Sequence, residues 1–241
     1  MALPKLDVPT YEIELPLSGK KIKYRPFLVK EQRNLLMAVE SNETSTIHQN
    51  VKDILYNCTL TEGVDIEKLP IIDVEFYFVN LRAKSVGEVV ESKYKCNNEV
   101  DGKVCGNLME KDINLLDLKV SQDNPVSPEI QLTDSISIKL KYPEFNIVQD
   151  SLKYNNITET TFNMIANSIE YIYDGEQFYY ASEAQPGEML EFVEGMNQAQ
   201  FSKVEEFFNN LPRLKETIEI DCSKCGFHHK LEVEGLENFF G

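Results

Sequence analysis

Four cysteines in two widely separated pairs constrain this chain more than any other feature of its sequence. Cys222 and Cys225 have the Cys-x2-Cys spacing of a zinc-binding knuckle, and a glycine follows them directly. Cys96 and Cys105 form a looser pair, with eight residues between them and again a glycine behind. A glycine at this place allows a tight backbone turn that points amides at the thiolates. The four thiolates together are the full ligand set of a closed, tetrahedral structural site.

We therefore predict one structural zinc ion held by Cys96, Cys105, Cys222 and Cys225, although 116 residues separate the two pairs. A redox pair or disulfide, and a set of unrelated reduced cysteines, are the alternatives. A catalytic zinc is disfavoured because four cysteine ligands leave no open position for water. If one ion joins both pairs, it acts as a clasp between the N-terminal half and the C-terminal tail.

Three further residues are candidates for metal or thiol chemistry. His228 and His229 follow the second pair, and either could replace a cysteine ligand, but we interpret both as solvated side chains on an outgoing strand. The fifth cysteine, Cys58, lies on the apolar face of a predicted helix, and no base that would activate it stands out nearby in the sequence. We interpret Cys58 as a core residue.

Composition and charge narrow the function classes. Of the 241 residues, 42% are hydrophobic and 27% are charged, as in ordinary soluble globular proteins. Residues 1–9 have no apolar signal core, and no apolar run reaches about eighteen residues, so we expect neither secretion nor a membrane span. We expect a reducing compartment, where clustered cysteines bind metal more often than they form disulfides. The net charge of −16 argues against nucleic-acid binding, which needs a basic surface.

Apolar periodicity predicts an α+β fold of β-hairpins and amphipathic helices, with a discontinuous zinc-ribbon-like module that the four cysteines join. Three helices should follow an N-terminal hairpin at 10–27, with Ser45 capping the second and Asp73 capping the third. Further strands are predicted over 88–95, 108–120, 130–142 (as a hairpin), 216–221 and 230–234, and further helices over 158–173, up to Gly195, and over 201–211.

This order of elements predicts three parts in one integrated unit. Residues 1–87 form an N-terminal lobe of a β-hairpin and helices. Residues 88–120 and 214–241 form the discontinuous ribbon module, and residues 121–213 form an inserted lobe of a β-hairpin and helices. We expect no independent domains because no internal repeat or low-complexity linker separates the parts.

Several stretches resemble a known family. The segment 23–31, KYRPFLVKE, resembles an opening signature of the baseplate hub proteins of T-even-like contractile-tailed phages. The stretch 171–176, YIYDGE, and the run from 201 through Leu211 and Pro212 into the second cysteine pair extend the resemblance, as does GLENFF at 235–240. The resemblance therefore spans essentially the whole chain.

The resemblance implies a structural or assembly component of the central hub of the tail baseplate, with other hub or tail assembly proteins as partners and a homo-oligomer as an option. It implies the host cytoplasm during assembly and the virion tail baseplate as locations. We expect no enzyme, because the sequence has no phosphate-binding glycine loop, nucleophile elbow or His-Glu-x-x-His helix. A zinc-ribbon regulator or nucleic-acid accessory factor, and an unrecognised hydrolase, are the alternatives.

The aromatic residues Phe239 and Phe240 have two interpretations. A terminus of this kind either docks on its own domain or anchors a neighbouring hub protein, because buried aromatic side chains dominate most interfaces. We favour docking on the chain's own surface.

Overall fold

The protein is an α+β structure, which confirms the predicted fold class. The computed structural model describes residues 6–41, 43–122, 124–151 and 156–234. The two interpretations of Phe239 and Phe240, and the GLENFF stretch of the resemblance, lie outside these residues.

Seven α-helices occur within the described ranges, and several of them bury one apolar face. They are α1 (Val29–Glu40), α2 (Thr44–Cys58), α3 (Ile71–Ser85), α4 (Phe145–Ser151), α5 (Ile157–Asn167), α6 (Glu188–Glu194) and α7 (Gln198–Asn209). The described chain also has two short 3-10 turns, Ile66–Lys68 and Leu115–Asp117, which connect elements of the core.

Thirteen short strands pair antiparallel in the described part of the chain. They are β1 (Tyr11–Glu14), β2 (Lys21–Tyr24), β3 (Val89–Lys95), β4 (Glu99–Val100), β5 (Lys103–Val104), β6 (Leu108–Asn114), β7 (Lys119–Ser121), β8 (Glu129–Gln131), β9 (Ser137–Leu140), β10 (Ile169–Tyr173), β11 (Phe178–Tyr180), β12 (Arg213–Asp221) and β13 (His228–Glu234). They form a four-stranded sheet, β11-β10-β9-β8, a three-stranded sheet, β13-β12-β7, and the pairs β1-β2, β3-β6 and β4-β5.

The predicted N-terminal hairpin and its three helices are confirmed, and they enclose one hydrophobic cluster. Cys58 is fully buried in it, as predicted. Both predicted caps are wrong. Glu43 occupies the cap position of α2, so Ser45 lies inside that helix. Asp73 lies inside α3, where its buried carboxylate accepts hydrogen bonds from the amides of Leu17 and Ser18 at 2.8 and 2.9 Å. Asp73 thereby fixes the hairpin turn to the helix.

The helix predicted over 158–173 is wrong in its second half. The helix α5 ends at Asn167, and Ile169–Tyr173 is the strand β10, which pairs with β9 on one side and β11 on the other. Aromatic and β-branched side chains favour a pleated, half-buried surface of this kind. The apolar residues Ile165, Ile169 and Ile172 share a core as predicted, although they do not belong to one helix.

A third hydrophobic cluster connects α3 to the strands around the cysteines. Val79 and Ala83 of α3 pack against Val90 and Leu214, which lie on β3 and β12. The single strand predicted over 108–120 is wrong, because it is broken into β6, a 3-10 turn and β7. The break carries the chain from its pairing with β3 to a pairing with β12. The two cysteine-bearing hairpins come from distant parts of the sequence, and both pack on α3.

Candidate metal centre

The first cysteine pair lies where the β3-β6 hairpin ends. The amide of Cys96 donates to the carbonyl oxygen of Asn107 at 2.8 Å, and the amide of Gly106 donates back to the carbonyl oxygen of Cys96 at 3.0 Å. Gly106 has φ = 66°, a left-handed conformation that glycine adopts without steric cost. The small β4-β5 hairpin fills the space between the two cysteines, which explains their wide spacing.

The second pair lies at the end of the β12-β13 hairpin and repeats this backbone pattern. The amide of Cys222 donates to the carbonyl oxygen of Phe227 at 2.9 Å, and the amide of Gly226 donates to that of Cys222 at 2.8 Å. Gly226 has φ = 71°. The two loops differ in length, yet the same two backbone hydrogen bonds close each loop around its glycine. The structure therefore has two knuckles of one kind.

The two knuckles face each other and bring all four cysteines together. Their Sγ atoms all lie within 4.8 Å of one another. Across the knuckles, Cys96 Sγ lies 3.6 Å from Cys225 Sγ, and Cys105 Sγ lies 3.8 Å from Cys222 Sγ. A tetrahedral zinc site with Zn–S bonds of about 2.3 Å has sulfur atoms about 3.8 Å apart, whereas a disulfide requires about 2.05 Å. All four are free cysteines, and the two separations across the knuckles match the edge of such a tetrahedron.

Side-chain amides surround the cluster and point at the sulfur atoms. Nδ2 of Asn98 lies 3.6 Å from Cys225 Sγ, and Nδ2 of Asn107 lies 3.5 Å from Cys222 Sγ. Cys96 and Cys222 are themselves buried. Hydrogen-bond donors aimed at buried sulfur atoms stabilise thiolates, which are the form of cysteine that binds metal.

The electrostatic environment differs between the two knuckles. Hydrogen bonds from backbone amides, first that of Cys225, lower the pKa of the Cys222 thiol to about 6. A backbone hydrogen bond from Phe227 likewise lowers the pKa of Cys225. Burial instead raises the pKa of Cys96 to about 12. The backbone amides of the second knuckle thus favour the thiolate form of its cysteines.

The interpretation of both histidines as solvated is wrong for His229. Its side chain is buried, and its Nε2 lies 3.2 Å from Cys96 Sγ. Its ring also packs edge-on against Phe227, with the ring centroids 4.7 Å apart. His228 points to solvent, and its Nδ1 lies 2.8 Å from a carboxylate oxygen of Asp221.

His229 could have been found by the period of two in strand β13. Its side chain shares a face with Leu231 and Val233, and Val233 belongs to the buried cluster behind the knuckles. A histidine on the inward face of a strand that leaves a knuckle has to contact the sulfur atoms or the core. His229 is therefore a neighbour of the cluster that the sequence analysis missed.

The arrangement could bind one metal ion, with four thiolates completing its coordination. Within the described ranges, no second group of three or more histidine, cysteine or acidic side chains has metal-binding geometry. The same ranges contain no helix that combines the length and the apolar character needed to cross a bilayer.

Comparison with known proteins identifies the family of this chain. The sequence model of the family described as T4 bacteriophage base plate protein matches residues 8–241. Searches among curated proteins and among solved structures found no match to the chain.

Proposed function

The chain belongs to the T4 bacteriophage base plate protein family, and on this premise we propose that it is a structural or assembly component of the central hub of the tail baseplate. The observation that carries the proposal is the match over residues 8–241. The assignment to the hub, rather than to another part of the baseplate, is supported by the resemblance of segment 23–31 to the opening of hub proteins.

One zinc ion, held by Cys96, Cys105, Cys222 and Cys225, is part of this proposal. The sulfur separations of 3.6 and 3.8 Å across the knuckles support it, because they agree with the edge of a zinc–thiolate tetrahedron. Soft thiolate ligands in this geometry select zinc over the hard cations magnesium and calcium.

The proposed role of the zinc is structural. With all four positions filled by sulfur, no position remains for a reactive water, so the ion supplies no hydrolytic chemistry. Its free energy of binding instead fastens segments that lie 116 residues apart in the sequence. We propose accordingly that the protein acts through protein–protein contacts and not as an enzyme.

The three-part organisation fits this role. In the proposal, residues 88–120 and 214–241 form the zinc module that closes the chain, while the lobes 1–87 and 121–213 offer contact surfaces. The partners are other hub or tail assembly proteins, with self-association as an option. The net charge of −16 disfavours nucleic acid as a partner. We propose the host cytoplasm as the place of assembly and the virion baseplate as the destination.

Affinity purification from infected cells tests the hub role. A tagged copy of the protein is expressed during infection, and the proteins that co-purify are identified by mass spectrometry after a high-salt wash. We expect components of the hub among them in constant proportion. Co-purification only of baseplate proteins outside the hub, or of no tail protein, contradicts the proposal.

A further inference from the structure

The strand β11 is an exposed edge of the four-stranded sheet. Its neighbour on one side is β10, and no strand of the described chain lies on the other side. Its three residues are aromatic, and the exposed fractions of Phe178, Tyr179 and Tyr180 are 50%, 43% and 44%. Monomeric proteins usually protect such an edge with charges, a proline or a bulge, because an open edge recruits another strand. The three residues of β11 itself include no charge, proline or bulge.

The register of β10 and β11 leaves backbone groups of β11 directed outward. The amide of Ala181 donates to the carbonyl oxygen of Glu170 at 3.0 Å, and the amide of Asp174 donates to the carbonyl oxygen of Gln177 at 3.3 Å. In an antiparallel ladder, hydrogen-bonded and non-bonded pairs alternate. Phe178 is therefore a non-bonded position whose N–H and C=O point away from β10. Among the described residues no group bonds to them, so they are free to pair with an added strand.

A groove runs beside this edge, between β11 and α6. Its volume is about 620 Å³, large enough for several side chains. Ile172 and Tyr179 line it from the sheet, and Met189 and Phe192 line it from α6. A strand added to β11 would place alternate side chains over these apolar residues.

The chain segment that supplies most of the groove lining is acidic. Residues 169–195 contain seven Asp and Glu residues and no Lys, Arg or His. Three of them, Asp174, Glu183 and Glu188, line the groove itself. Of these, Asp174 is held by the hydroxyl of Tyr179 at 2.7 Å and Glu188 by the amide of Gln185 at 2.7 Å. Among the described residues, no hydrogen-bond donor or cation contacts the carboxylate of Glu183, so its charge is available to a ligand.

The negative charge around the groove favours a positively charged binding partner. A second copy of this chain also has a net charge of −16, so its approach to an acidic rim is repelled. A segment with lysine or arginine at its flanks instead pairs with the rim, and its apolar side chains fit the aromatic groove.

We propose that β11 and the groove beside it bind an extended, basic segment of another tail protein, which adds to the sheet as a fifth strand. This inference rests on the proposed function, because it names the surface through which the chain contacts a baseplate partner. Main-chain hydrogen bonds to Phe178 supply affinity, and the groove and the acidic rim supply specificity.

Overlapping peptides that cover the tail proteins of the same phage test the inference. Binding of the purified, zinc-loaded chain to each peptide is measured by fluorescence anisotropy. We expect the bound peptides to be basic, with apolar residues at alternate positions, and their affinity to fall as salt increases. Binding to acidic peptides only, or to no peptide, overturns the inference.

Single substitutions measure separately how much the backbone of β11 and the acidic residues of the groove contribute to binding. Phe178→Pro removes an outward N–H, and we expect it to weaken binding at least about tenfold, whereas Phe178→Ala keeps the N–H and loses less. Glu183→Lys should weaken binding about fivefold at low salt, and Glu91→Lys, at an exposed acid of β3 that does not line the groove, should leave it unchanged. Melting curves identify any variant that misfolds. Unchanged affinity in folded Phe178→Pro overturns strand addition.

Co-purification distinguishes the failure of this inference from the failure of the proposed function. If tagged wild-type protein captures no tail protein from infected cells, the proposed function fails. If the wild type and Phe178→Pro capture the same tail proteins in the same amounts, the function stands and the assignment of this surface is wrong.

Discussion

The surroundings of Glu75 predict how the stability of the protein changes with pH. It lies on α3 and is partly buried. Burial, and to a smaller extent the carboxylate of Glu234 on β13, raises its pKa from 4.5 to about 7. Glu234 in turn pairs with Arg213, whose Nη1 lies 3.2 Å from its carboxylate oxygen.

A raised carboxyl pKa makes the fold less stable as pH increases. Between pH 4.5 and about 7 the folded chain keeps the proton of Glu75 while the unfolded chain releases it, so the unfolded chain binds fewer protons. The free energy of unfolding therefore falls with rising pH across this window and stays low above it. At 1.36 kcal/mol per pKa unit, the full loss is about 3 kcal/mol.

The substitution Glu75→Gln removes this loss because its amide resembles the neutral acid. We expect the variant to be more stable than the wild type by about 2–3 kcal/mol at pH 8 and by close to nothing at pH 4.5. Urea denaturation of the zinc-loaded protein at both pH values measures the difference. Glu91→Gln, at an exposed position of β3, is the matched control. An equal effect of Glu75→Gln at both pH values, or a loss of stability at pH 8, would refute the reasoning.

Three further predictions concern the metal centre and the N-terminal lobe. Removing zinc should lower hydrogen-exchange protection over 216–234 well before the helical lobes melt, and unchanged protection there contradicts the clasp. His229→Ala should lower zinc affinity about 10- to 100-fold in a competition titration, because the ring contacts Cys96 Sγ, while the matched His228→Ala should have no effect. Asp73→Asn should destabilise the protein by about 2–3 kcal/mol in urea, because it weakens two charge-assisted hydrogen bonds, whereas exposed Asp53→Asn should change stability by less than about 0.5 kcal/mol.

The sequence predicted each of the two cysteine knuckles because the signal of a knuckle is local. A glycine behind each pair specifies a tight turn, and the alternating strands on both sides specify a hairpin. The positions of Cys58 in the core and of the hairpin at 10–27 follow from apolar periodicity for the same reason. These features depend on a few neighbouring residues, so tertiary structure did not alter them.

The wrong predictions concern elements whose structure depends on contacts with distant segments of the chain. Ile165, Ile169 and Ile172 fit a helical period, but pairing with β9 and β11 makes the second half a strand, and that pairing is not visible in a local window. Asp73 has the composition of a cap, yet its carboxylate serves the turn at Leu17 instead. From the sequence alone, an aspartate that caps a helix cannot be distinguished from a buried aspartate whose hydrogen-bond partner lies far along the chain.

The most direct test of the account is the zinc content of the purified protein. We predict one zinc per chain, retained in Cys58→Ser and lost in the double variant Cys222→Ser with Cys225→Ser, because the two knuckles share one ion. Elemental analysis of the three proteins after gel filtration decides the question. Substoichiometric zinc in the wild type, or full retention in the double variant, would contradict the account.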